Sequence, residues 1–167
     1  MKSSEFFTIC NEAFAPLMVQ FDLNVAGQCD RNSVWEWLLK NHTTGIRVVY
    51  ELKDHYLGVQ VCKLEDGLIV SSTGELRPDS DLHCFDLVDL VVLRSAGKEA
   101  EILQNLSLMN SRLPELLNRF SQLLRSFGAD VLQGDFEVFH ALDALVKERA
   151  REAAFKKWGS NAHDFGW

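Results

Sequence analysis

Apolar positions in the first twenty residues recur with helical spacing. Phe6, Phe7, Cys10, Ala13, Phe14, Leu17, Met18 and Phe21 fall at i, i+3, i+4 and i+7, which predicts a helix over about 4–20. Ser3 or Ser4 can cap it, and Glu5 lies in the favourable first turn. Pro16 would remove a hydrogen bond inside the run, so the helix is expected to stop or kink near 13–15. From residue 33 the period drops to two. Trp35, Trp37 and Leu39 share one face of a strand over 33–40; Ile46, Val48, Tyr50 and Leu52 share one face of the next, over 46–53. Leu57, Val59 and Val61 mark a third strand. Glu65-Asp66-Gly67 is a hairpin signal leading into a short fourth strand over 68–71. Turns this short force antiparallel neighbours, so residues 33–71 read as a four-stranded antiparallel meander.

After a polar loop over 72–82, the helical period returns. Phe85, Leu87, Val88, Val91 and Val92 mark a short helix over 86–94, and a weaker one follows over 99–109. Leu113, Leu116, Leu117, Phe120, Leu123, Leu124 and Phe127 trace one face of the clearest helix in the chain. Asn110 or Ser111 opens it, Pro114 sits in its first turn and Gly128 ends it. Asp135 caps a last helix running to Trp158, with Phe136, Phe139, Leu142, Leu145 and Val146 inward. A meander needs a cover for one face, so the fold class is α+β: one domain over 1–159, in which the N-terminal helix and the helical second half pack the sheet, followed by a polar tail over 160–167.

Composition narrows the function classes. The chain has 167 residues, 47% of them hydrophobic, which suits one globular domain. Its net charge of −7 argues against bulk binding to nucleic acid or an anionic membrane. No uninterrupted apolar segment reads as a signal peptide or a membrane span, so a cytoplasmic protein is expected. Cys10, Cys29, Cys62 and Cys84 are widely and irregularly spaced. They read as reduced thiols, with Cys10 and Cys62 acting as small core hydrophobes.

The charge is unevenly spread. Residues 51–90 hold nine acids against three bases, a balance of −6, whereas 147–157 hold five bases against two acids, a balance of +3. A solvated surface and a basic helix end account for both in the plainest way. The sharper reading is an acidic sheet-and-loop face, comprising Glu51, Glu65, Asp66, Asp79 and Asp81, that attracts a basic protein partner. Trp35 and Trp37 would supply its aromatic anchor unless they form the core. His140 is expected at the border of the core. No nucleophile elbow, zinc-helix motif or phosphate-binding glycine loop is present, and no cofactor is expected. The alternative is a small metal-dependent or thiol hydrolase using Asp79, Asp81, His83 and Cys84, all competent ligand types.

The stretches Val34-Trp35-Glu36-Trp37-Leu38-Leu39, Thr43-Thr44-Gly45-Ile46-Arg47-Val48-Val49-Tyr50-Glu51 and Leu82-His83-Cys84-Phe85-Asp86-Leu87-Val88-Asp89-Leu90 resemble a family of small, mostly uncharacterised bacterial α+β proteins. The resemblance covers about 33–95, rests on fold signatures and implies no activity. In size, acidity and layout the chain also resembles immunity proteins that neutralise secreted toxins. The −6 balance of residues 51–90 is what motivates the leading expectation, a non-enzymatic bacterial protein-binding module, of immunity or chaperone type.

Overall fold

The computed structural model describes residues 1–70, 76–95, 97–98, 101–102, 104 and 112–159. Its elements are helix α1 (Ser3–Phe21), strands β1 (Asn24–Arg31), β2 (Val34–Lys40), β3 (Thr44–Glu51), β4 (Tyr56–Lys63) and β5 (Cys84–Asp86), then helices α2 (Leu87–Arg94), α3 (Leu113–Phe127), α4 (Ala129–Leu132) and α5 (Glu137–Trp158). The fold is α+β, with one antiparallel sheet in the order β1-β2-β3-β4-β5.

Among the described residues the sheet has five strands rather than four, and its membership differs at both edges. Strand β1 carries no alternating apolar pattern because most of its side chains are exposed, so periodicity gave no sign of it. It joins β2 through Asn32 and Ser33, both at positive φ, the backbone that a tight hairpin needs. Of the expected strand over 68–71, the described residues 68–70 are not in the sheet. Leu68 forms only an isolated bridge to Glu65, and β5 takes the place beside β4.

The core lies on one face of the sheet. Trp35, Trp37, Leu39, Ile46, Val48, Val59, Val61 and Phe85 point the same way. Phe6, Cys10, Phe14 and Leu17 of α1 meet them, with the Phe14 ring set edge-on to Trp37 at 5.4 Å. Helix α2 also contacts β4 and β5, and α3 packs against both α1 and α2. Phe139 anchors α5 on Phe85 at 4.7 Å between ring centroids.

Helix α1 runs unbroken through Pro16. Pro16 and Glu12, whose carbonyl loses its partner, are both exposed, so water can satisfy that carbonyl. Leu17 and Phe21 are buried beyond it, and their packing holds the last turn. The N-cap is Lys2 rather than Ser3 or Ser4, and its backbone N–H donates to the Glu5 carboxylate at 2.7 Å. Asp86 caps α2 by accepting from the Val88 N–H at 2.8 Å. Helix α3 has Arg112 as N-cap; Asn110, Ser111 and most of the expected 99–109 helix fall outside the described residues, as does the 160–167 tail.

Asn41 ties the β2–β3 turn to two helix ends. Its Oδ1 accepts from the N–H groups of Thr43 and Thr44, while Nδ2 donates to the carbonyls of Phe21 and Leu132. Thr44, fully buried, donates its hydroxyl to Val131 O at 2.7 Å. Replacing Asn41 with Ala strands these partly buried groups. The expected loss is about 1–3 kcal/mol in a urea unfolding series; an unchanged midpoint would contradict this role.

Candidate functional site

The face of the sheet away from the core carries a polar network. Arg47 sits at its centre, with Nε donating to Glu36 and Nη1 to Gln60 Oε1 at 3.1 Å. Gln60 stands opposite Asp86 across the β4–β5 ladder. Tyr56 folds back over Gly58, where an added Cβ would meet the ring at 3.1 Å, and Asp86 and Glu51 are the acids whose field its hydroxyl feels. Burial pushes the Asp86 carboxyl above its usual range. The Val88 N–H opposes this shift and Asp89 adds to it. Burial, followed by Asp86 and Glu51, raises the Tyr56 phenol. Asp89 in turn pairs with Arg149 of α5.

At the other end of this face, the chain between β4 and β5 folds back over the sheet. Leu64 N–H donates to Thr43 O at 2.8 Å. Glu65 and Leu68 exchange backbone hydrogen bonds around Asp66 and Gly67, both at positive φ, which is the tight turn expected of Asp-Gly. Lys40 Nζ reaches Gly67 O at 2.9 Å. Ile69 then lies on Gly45: a Cβ built there would stand 2.4 Å from Ile69 Cγ1, so a larger residue at 45 would displace the Ile69 side chain. Beneath it Cys62 is completely buried and forms a disulfide with Cys84, its direct partner across the ladder. His83, next to Cys84, holds Glu65 Oε1 at 3.0 Å and Asp81 Oδ2 at 3.3 Å from its Nε2.

These positions sort the sequence candidates. Trp35 and Trp37 are 5% and 0% exposed, so neither is available as a surface anchor in this fold. Both lie on the face that α1 covers: Phe6 packs on Trp35, and Phe14 on Trp37. Glu65 and Asp81 converge on His83, and Asp66 and Asp79 are exposed close to them in sequence. Glu51 ends β3, whereas the strap begins beside Thr44 at its start. Seven steps of about 3.3 Å along the strand separate Glu51 from the loop acids. It belongs instead with Asp86 around Tyr56.

The alternative ligand set does not assemble. Cys84 shares its sulfur with Cys62 and has no thiolate to offer, which also corrects the expectation of reduced thiols at both positions. Among the described residues, no three His, Cys, Asp or Glu side chains are placed to hold a metal ion. Cys10 is a buried free thiol, with a pKa pushed up by desolvation. His140 is exposed rather than bordering the core. The basic stretch of α5 is partly neutralised: Lys147 pairs with Asp143, Arg149 with Asp89 and Arg151 with Glu148.

Sequence reasoning missed the Arg47 network and the Cys62–Cys84 pair. Arg47 falls on the polar phase of an alternating strand, so the period did signal an outward side chain, but not its partners. The cysteine pairing depends on β5, a three-residue strand too short for any period to mark.

No helix among the described residues is long and apolar enough to cross a membrane. Comparison with protein-family models, characterised proteins and solved structures returns no match for this chain.

Asp86 generates a pH prediction. Its folded-state pKa is raised, so its ionisation opposes folding at neutral pH, and the cost is relieved as pH falls through the folded value. Asp86→Asn keeps an N-cap acceptor and cannot ionise. The variant is expected to be at least as stable as the wild type at pH 7, with the difference shrinking toward pH 4 in parallel thermal melts. Asp86→Ala, which loses the cap, should cost about 1 kcal/mol. A less stable Asn variant at neutral pH would contradict the assignment.

Proposed function

We propose that this protein is a non-enzymatic binding module that engages a basic protein partner through the chain between β4 and β5. The observation that carries this reading is the set Glu65, Asp66, Asp79 and Asp81 on one excursion, with no Lys or Arg ion pair to any of them among the described residues. His83 is the counter-group of Glu65 and Asp81, while Lys40 and Arg77 are the nearby bases of the segment and its turn. An acidic patch of this kind steers an oppositely charged partner and sets the register of docking.

The apolar contact in this reading comes from Leu68 and Val70, exposed on the strap at 63% and 39%. They take the anchoring role that the sequence suggests for Trp35 and Trp37. The partner approaches under the field of the carboxylates and buries these two side chains at the centre of the contact. An immunity-type or chaperone-type role in a bacterial cytoplasm fits this chemistry, with a cationic toxin or client as the bound species.

Affinity capture at low salt from the native host tests the reading, using wild type and the triple variant Glu65→Gln, Asp66→Asn, Asp81→Asn. The expected result is one stoichiometric basic protein retained by the wild type, its association slowed about tenfold or more by the triple substitution and weakened by salt. Absence of any stoichiometric partner, or equal capture by the triple variant, would overturn it.

A further inference from the structure

We propose that the Cys62–Cys84 disulfide is a reversible redox latch that fixes the strap over 64–70 against the outer face of the sheet. The latch stands on the geometry of the strap and does not rest on the binding reading.

Cys62 and Cys84 are directly opposed across the β4–β5 ladder, with 4.0 Å between their Cα atoms. Strand β5 pairs at only three positions, and Cys84 is the first of them, the point where the excursion re-enters the sheet. Beyond it, among the described residues, the ladder continues only as the 2.8 Å hydrogen bond from Lys63 N–H to His83 O. The far end of β5 is independently secured by Phe85 in the core and by the Asp86 cap of α2. Loss of the disulfide therefore leaves the fold anchored but frees the end where the excursion returns. His83 holds Glu65 and Asp81 from that end, so fraying there also releases the strap's polar clasp. Among the described residues, what remains is the Ile69–Gly45 contact, the Leu64 and Lys40 hydrogen bonds and the Glu65–Leu68 turn. The Val70 carbonyl, 3.3 Å from Cys84 Sγ, gains only a weak S–H donor on reduction.

The two cysteines differ in access. Cys62 is fully buried, whereas Cys84 is half-buried, so a thiol reductant reaches Cys84 first. A thiolate of a cellular dithiol attacks Cys84 Sγ and the S–S bond breaks. The electron pair leaves on Cys62 Sγ, which takes up a proton. The second thiol of the reductant then attacks the mixed disulfide and releases Cys84 as the thiol. Overall, one dithiol is oxidised to a disulfide, and two electrons and two protons pass to Cys62 and Cys84.

Amide hydrogen exchange on the full chain tests the latch in glutathione-disulfide and dithiothreitol buffers, with alkylation after denaturation to count thiols. Oxidised protein should show two free thiols, Cys10 and Cys29, and reduced protein all four. On reduction, protection at Lys63 and through the strap should fall about tenfold or more, while Trp37 and Val48 keep theirs. The double variant Cys62→Ala, Cys84→Ala should match the reduced wild type in either buffer. If it fails to fold, the wild-type comparison alone decides. Four free thiols in the oxidised sample would overturn the latch. So would equal strap protection in the two buffers, or a folded double variant that stays protected.

Discussion

Burial of the sheet on one face is the constraint from which the rest follows. Trp35 and Trp37 fill that face together with Leu39, Ile46, Val48, Val59 and Val61, and α1 closes over them with Phe6, Phe14 and Leu17. Each buried side chain of this size removes on the order of 1.5–3 kcal/mol of apolar exposure, so the face cannot be left open. Indole is used here mainly as volume: among the described residues the Trp37 Nε1–H has no acceptor, a desolvation cost set against dense packing. The Trp35 indole does better, donating to Asp30 at 3.1 Å and tying edge strand β1 to the core row.

Because the core takes one phase of each strand, the other phase is left to polar chemistry and to the strap. Arg47, Glu36 and Gln60 satisfy one another in the middle of that outer face. Toward the start of β3, Gly45 leaves room for Ile69, and the strap covers Cys62. The outer face thus has two chemically distinct ends: a Tyr56–Asp86–Asp89 cluster linked to α5 through Arg149, and an acidic excursion gathered by His83. The negative balance of residues 51–90, a single property in sequence, becomes two surfaces in space.

The sequence made legible whatever repeats with a long period. The apolar stripe of α3 and the alternation of β2, β3 and β4 follow from residue spacing, as does the Asp-Gly turn. Elements without a period were lost. Edge strand β1 buries little, and β5 has three residues, so neither leaves a pattern. Leu68, Ile69 and Val70 have the composition of a strand, but only Ile69 finds an apolar surface, on the glycine opposite it. The same local signal serves strand or strap, and the space at Gly45 decides between them. Tryptophan was ambiguous for a related reason, since its preference for interfaces and its bulk in cores look alike in one chain. The site suffered most, because His83, Glu65 and Asp81 meet only once the excursion has turned back on itself.

The most direct test of the acidic excursion as a binding surface is a two-dimensional amide NMR titration of the full chain with a lysine-rich peptide at low salt. The account predicts saturable shifts at Glu65, Asp66, Leu68, Asp81 and His83, reversed by added salt, with little change at Glu51, Tyr56 and Asp89. Shifts centred on the Tyr56 end, or none above those from a neutral peptide of equal length, would contradict it.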